Sequence, residues 1–282
     1  MRWVKGHGTE NDFLVLYDPD GTSYPKLDAD KVRAICHRRR GVGADGVLRL
    51  VRTNAVEPAE LQGADPGTAE WFMDFRNADG SVGEMCGNGV RVCAAYLLAH
   101  GLADPDADLA IATRAGVKVV RSQPDGNLRV DMGVARFPAS DGLVVSAAGR
   151  SWPATAVDMG NPHAVAFVDD LAEPGPLLEA PTWSPAEVFP YGVNVEFALR
   201  RADRHLAMRV HERGVGETRS CGTGACAVAA TAARLDGVSS PATYRIDVPG
   251  GTLTVTLRAD GRVDLAGPAE LTARGEFDLR DV

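Results

Sequence analysis

Short runs that alternate apolar and polar residues, or stay apolar between turn signals, recur along most of the chain. They cover residues 13–17, 47–51, 71–75, 117–121, 128–132, 164–168, 193–198, 206–210, 243–248 and 252–257. Turn sequences such as Pro124-Asp125-Gly126-Asn127, Pro249-Gly250-Gly251 and Ala259-Asp260-Gly261 separate them, so the pattern predicts a strand-rich chain. Residues 54–70 are acidic, carry Pro58 and Pro66, and read as an exposed loop without chemistry. Residues 173–190 hold five prolines and read as a wandering connection.

Two stretches break this rhythm. Residues 89–99 can make three helical turns before Gly101, and residues 224–235 make a second helix before Gly237. Neither has a polar face, so each must be enclosed by protein, and in a strand-rich chain the enclosing element is a curved or closed sheet. The same two stretches reveal a repeat. Met85-Cys86-Gly87-Asn88-Gly89 opens the first helix and Ser220-Cys221-Gly222-Thr223-Gly224 the second, 135 residues later. Nine residues before each cysteine lies a polar residue in a Gly-rich loop, Asn77 and Glu212. Further upstream, Glu10-Asn11-Asp12-Phe13 is matched by Gly160-Asn161-Pro162-His163. The pattern predicts a duplicated domain.

Composition narrows the function classes. The 282 residues suggest two domains of about 150. A net charge of −8 argues against general affinity for nucleic acid or anionic lipid. The longest charge-free helical stretch, 220–233, is shorter than the ~20 apolar residues of a membrane span. No apolar segment follows the basic residues of Met1-Arg2-Trp3-Val4-Lys5-Gly6-His7, so a cytoplasmic location is expected. Cys36, Cys86, Cys93, Cys221 and Cys226 are therefore read as free thiols.

A cysteine at a helix N-terminus sits among unpaired N–H groups at the positive end of the macrodipole, and both should lower its pKa. The flanking glycines leave those amides open to a small anion such as a carboxylate. Two such thiols suit the inversion of a carbon stereocentre, in which one group removes a proton from one face and another returns it on the opposite face. Buried packing is the usual fate of free cysteine, and Cys36, Cys93 and Cys226 are read that way.

With Gly8-Thr9-Glu10-Asn11-Asp12-Phe13, Gly41-Val42-Gly43-Ala44-Asp45-Gly46, Asn77-Ala78-Asp79-Gly80-Ser81, Gly192-Val193-Asn194 and Glu212-Arg213-Gly214, these motifs run through nearly the whole chain. In this order they resemble diaminopimelate epimerase, of the cofactor-independent amino-acid racemase superfamily. The resemblance implies an α+β fold of two pseudo-symmetric domains, each a β-barrel wrapped around a central apolar α-helix. The expected divisions are 1–131, with 266–282 returning to it, and 132–265. It implies interconversion of LL- and meso-2,6-diaminopimelate in lysine and cell-wall precursor synthesis, with no cofactor and no metal, and it allows a homodimer. Carried over by position, Cys86 and Cys221 are the acid–base pair, and His163 and Glu212 tune their pKa values. Gly87, Asn88, Gly222 and Thr223 hold the carboxylate at the reacting centre, and Glu212 takes its ammonium. Arg213, Asn77, Asn161 and Asn194 hold the distal amino-carboxylate, and Asn11 lines the same pocket. One departure is Gly46, where some members carry Gln, so any substrate contact there is made by the backbone alone.

Rival chemistries fit less well. Pyridoxal phosphate needs a Schiff-base lysine, and none of Lys5, Lys26, Lys31 and Lys118 lies in the paired motifs. No Cys-x-x-Cys or His cluster suggests zinc. A hydrolase using Cys221 and His163 would leave Cys86 unexplained. A proline or hydroxyproline racemase has little use for a distal-carboxylate arginine and typically carries His where Asn88 stands. A thiol-redox or binding protein remains the rival from another class.

Overall fold

The computed structural model describes residues 2–24, 27–61 and 65–276. The chain is α+β, with mixed sheets and few helices. It divides into two compact units, residues 1–130 with 268–282, and residues 131–267. The end of the expected C-terminal return, 277–282, lies outside the described residues.

In the first unit, β19 (Glu270–Glu276), β1 (Arg2–Gly8) and β2 (Asn11–Tyr17) pair antiparallel. A parallel step joins β2 to β3 (Gly46–Arg52), with helix α1 (Ala29–Cys36) in the crossover. Strand β3 runs antiparallel to β4 (Trp71–Asn77), which carries the short β5 (Val82–Gly83). A second parallel step joins β4 to β6 (Leu109–Thr113), and an antiparallel run continues through β7 (Gly116–Ser122) into β8 (Leu128–Val134), whose residues from Asp131 on belong to the second unit. Parallel neighbours need a crossover long enough for a helix. The second crossover holds α3 (Gly87–Ala99), against which β1, β2, β3, β4, β6, β7 and β19 all pack.

The second unit repeats this plan. Strand β9 (Val144–Ala147) pairs with β10 (Arg150–Asp158) and β12 (Thr182–Ser184). Strand β10 pairs with β11 (Pro162–Phe167), which runs parallel to β13 (Asn194–Ala202). Next come β14 (His205–Glu212) with its short partner β15 (Gly216–Thr218), then a parallel step to β16 (Ala242–Val248). The run ends in β17 (Gly251–Leu257) and β18 (Arg262–Gly267). Helix α4 (Gly222–Leu235) occupies the crossover and touches β10, β11, β13, β14, β16, β17 and β18. The registers correspond residue by residue. Phe13 opposes Gly46 in the first unit as His163 opposes Asn194 in the second.

Two expectations need correcting, and one helix had no forecast. Helix α3 is not apolar on every side: Arg91 is fully buried on it, donating to Asn88 Oδ1 at 2.9 Å and to the Pro268 carbonyl at 3.4 Å. Residues 54–70 are not simply an exposed loop. They contain the one-turn helix α2 (Pro58–Leu61), and Val56 and Leu61 pack against Ala69, Phe72 and Ala112. Helix α1 had no sequence forecast, because eight residues are too few for a clear period. Asp28 caps it by accepting from the Lys31 N–H at 2.9 Å, and Val32, Ile35 and Cys36 seal it against Leu14, Leu16 and Val47. Burial pushes the Cys36 thiol up to about 12, in keeping with a packing role.

Candidate active site

Each unit builds the same feature: a cysteine as the N-cap of its enclosed helix. Cys86 (φ −142°, ψ 121°) and Cys221 (φ −124°, ψ 114°) both have extended backbone, and each Sγ accepts the N–H three residues on, from Gly89 and Gly224, at 3.4 Å. Sulfur thus stands where a Ser or Asp oxygen would normally cap. The next first-turn amides have no carbonyl partner within the helix. In the first unit these belong to Gly87 and Asn88, in the second to Gly222 and Thr223, and all four residues are buried.

In the first unit Asn11 opens β2 after a two-residue turn. Thr9 and Glu10 both take positive φ there (49° and 62°), an uncommon conformation for residues other than glycine. Asn11 Oδ1 accepts from Asn88 Nδ2 at 3.1 Å and lies 3.7 Å from Cys86 Sγ. Its Nδ2 donates to Asp45 Oδ2 at 2.9 Å. Asp45 is tied in turn to Asp12 and Arg38: Arg38 Nη2 reaches Asp12 Oδ1 at 2.7 Å and Asp45 Oδ1 at 2.6 Å. Burial raises the Asp45 pKa. Burial also pushes the Asp12 carboxyl up, but hydrogen bonds from Arg38 and Lys5 outweigh it and hold the group at about 2. Asn77 turns to its own loop, donating to Ser81 Oγ at 2.9 Å. A Cβ on Gly46 would meet the Arg76 carbonyl at 2.5 Å, so a longer side chain at that position requires a backbone shift.

The second unit gathers more of the expected residues. Thr223 Oγ1 lies 3.4 Å from Cys221 Sγ and accepts from Asn161 Nδ2 at 3.4 Å. Asn161 Oδ1 is 2.9 Å from His163 Nε2, and His163 Nδ1 is 2.6 Å from Glu196 Oε1. Asn194 Nδ2 donates to the Pro162 carbonyl at 3.1 Å, and its Oδ1 accepts the Arg213 N–H at 2.9 Å. Glu212 Oε1 accepts from Thr218 Oγ1. Arg213 is exposed, its stem close against Gly192.

The expected lowering of the thiol pKa fails at Cys221, which stands well above 9.0. Burial is the largest cause, the charge of Glu212 adds to it, and donation from Thr223 and Gly224 only partly offsets them. The macrodipole acts on a thiol withdrawn from water, where desolvation of the anion is the larger effect. Glu196, with Asp45 and Arg38, escaped the sequence reading. Its signal was a lone charge within the apolar run Val193-Asn194-Val195-Glu196-Phe197-Ala198, at a register position that faces the core.

The family model of diaminopimelate epimerase matches residues 3–138 and 155–272. The diaminopimelate epimerase of Streptomyces coelicolor is 54% identical over 99% of this chain and 96% of that protein. That of Thermobifida fusca is 49% identical over 99% and 98%. Among solved structures, a phenazine biosynthesis protein of the PhzF family from Bacillus anthracis aligns with a TM-score of 0.73 at 16% identity, over 99% of both chains. A hydroxyproline epimerase from Agrobacterium vitis aligns at 0.68 and 17%, over 98% and 91%. At such identities these structures share the fold. Among the described residues, no helix is long and apolar enough to cross a membrane.

Proposed function

The chain belongs to the diaminopimelate epimerase family, and from that premise we propose that it interconverts LL- and meso-2,6-diaminopimelate without a cofactor, using Cys86 and Cys221 as the two proton-transferring groups. The observation that carries this reading is the duplicated construction, a cysteine sulfur capping an enclosed helix in each unit. Inversion at the α-carbon needs a base on one face and an acid on the other. One thiolate takes the α-proton, the electron pair is held by the substrate carboxylate, and the second thiol returns a proton from the opposite side. Cys221, whose thiol pKa is raised by burial and then by Glu212, suits the proton-carrying acid of the resting enzyme, with Cys86 as base in that direction.

The carboxylate at the reacting carbon fits the first-turn amides of Gly87 and Asn88 and of Gly222 and Thr223, which favour charge that grows during proton removal. Glu212 would take the ammonium at that centre. Arg213 with Asn77, Asn161 and Asn194 would take the distal amino-carboxylate, and Asn11, fixed by Asp45 and Asn88, would line the pocket. His163, joined to Asn161 and through it to Thr223, would act with Glu212 on the thiol pKa values. The division at 1–131 with 266–282 and 132–265, the closure of each sheet into a barrel, a homodimer, a cytoplasmic location and a place in lysine and cell-wall precursor synthesis belong to the same proposal.

The test is solvent exchange. Purified protein with LL-diaminopimelate in deuterium oxide, and nothing else added, should give meso product carrying deuterium at one α-carbon. The absence of both meso product and α-deuterium would refute the reading.

A further inference from the structure

Glu196 is fully buried on β13, yet only one of its carboxyl oxygens is engaged. Oε1 lies 2.6 Å from His163 Nδ1, whereas Oε2, also buried, has no hydrogen-bond partner among the described residues. An ionised carboxylate with a bare oxygen in an apolar interior is costly, and a neutral acid much less so. Burial raises the pKa of Glu196 against the pull of His163.

The fold does not require this pair, because the repeat supplies its own control. By register, Phe13 and Leu48 of the first unit occupy the positions of His163 and Glu196, since Phe13 opposes Gly46, Val15 opposes Leu48, His163 opposes Asn194 and Val165 opposes Glu196. The helix glycines correspond as well. A Cβ on Gly89 would meet Leu48 Cδ2 at 3.0 Å, and one on Gly224 would meet Glu196 Oε1 at 2.6 Å. One frame is thus filled by Phe and Leu beneath Cys86 and by His and Glu beneath Cys221. The polar version is present on one thiol's side alone.

Hydrogen-bond directions follow from the chemistry of each group. Asn161 Nδ2 donates to Thr223 Oγ1, so Asn161 Oδ1 is the acceptor for His163 Nε2–H. His163 Nδ1 then faces Glu196 Oε1 with one proton between them. Having accepted from Asn161, the Thr223 hydroxyl is free to turn its own proton to Cys221 Sγ.

We infer that Glu196 is a positioning residue of the reaction: as a neutral carboxylic acid it donates to His163 Nδ1, fixes the imidazole in the Nε2–H form, and through Asn161 and Thr223 aims a hydroxyl donor at Cys221 Sγ. This inference rests on the epimerase reading for its catalytic consequence. A neutral Glu196 also spares Cys221 a negative neighbour. Cys86 has Leu48 and Phe13 at the matching positions, so the two thiols are set apart chemically although their helix caps are alike.

The test uses two variants and one spectroscopic readout. Glu196→Leu copies the residue the first unit holds at this position, so the protein should fold, with thermal unfolding as the check. Its kcat should fall by roughly tenfold or more while KM changes little, since an imidazole free to adopt the wrong tautomer is costly. Glu196→Gln can still donate to Nδ1 through its amide and should restore kcat to within about threefold of the parent. Nitrogen-15 NMR of histidine-labelled, substrate-free protein should show His163 with a protonated Nε2 and an unprotonated Nδ1, and Glu196→Leu should lose that fixed form. Two protonated ring nitrogens in the parent, unchanged kcat in Glu196→Leu, or a loss in Glu196→Gln as deep as in Glu196→Leu would each overturn the inference. Failure of the parent protein to exchange an α-proton would instead overturn the epimerase reading, and the NMR result would still decide the tautomer.

Discussion

Replacing Asp12 with asparagine tests the charged cluster that holds Asn11 in position. Asp12 is mostly covered, with 13% of its side chain exposed, and it meets Lys5 Nζ at 2.8 Å and Arg38 through both oxygens at 2.7 and 3.1 Å. Burial opposes its charge, yet these partners bring its pKa from 3.8 to about 2. At ~1.4 kcal/mol per tenfold change in proton affinity, that fall corresponds to about 2.5 kcal/mol in favour of the folded state. Arg38 is 57% exposed, so solvent screening reduces the figure, and Asp12→Asn should cost about 1–2 kcal/mol at pH 7. The sign is fixed by linkage. A carboxyl held below its ordinary value stabilises fully above about pH 4, and that stability drains away as pH falls through about 2. Urea unfolding of both proteins, followed through Trp3 and Trp71 of the same unit, should show midpoints well apart at pH 7 that converge towards pH 2. A gap that persists undiminished at pH 2, or that is absent at pH 7, would show that the cluster does not stabilise the ionised form.

Cys86→Ala and Cys221→Ala should each abolish epimerisation while the protein still folds, less stable by about 0.5–2 kcal/mol for the lost helix cap; near-native turnover in either would end the two-thiol mechanism. Arg213→Ala should remove a charge-assisted partner of the distal carboxylate worth about 1.5–3 kcal/mol, seen as a rise in KM of roughly 10–150-fold. Unchanged kcat and KM would show that Arg213 serves another purpose.

The strands legible in the sequence were those with one face in the core, such as Leu128–Val134 and Ala242–Val248, where burial alternates residue by residue. Strands β1 and β19 were missed because Arg2–Gly8 and Glu270–Glu276 carry charge and glycine along much of their length and are held by pairing. Both enclosed helices were legible because a run of small and apolar residues has no other use in a chain this charged. The cysteine motifs gave the candidate site, since helix caps are encoded locally. The pKa of Cys221 was not legible, because it depends on burial and on Glu212 at the end of β14. Nor was the His163–Glu196 pair, whose members are 33 residues apart and meet only through the parallel register of β11 and β13.

The antiparallel pairing of β1 with β19 sets an order of assembly. Arg2 lies opposite Glu276 and His7 opposite Glu270, so β1 is matched with a strand made only after the whole second unit. The second unit is drawn from one continuous stretch, 131–267, and can form all its own ladders as soon as that stretch is made. The first unit cannot. Until residues 270–276 arrive, the outer edge of β1 shows an unpaired row of N–H and C=O groups, the kind of edge that recruits foreign strands. Of the two units, the one begun first is therefore completed last, and its exposure to misassembly lasts as long as the synthesis of the other.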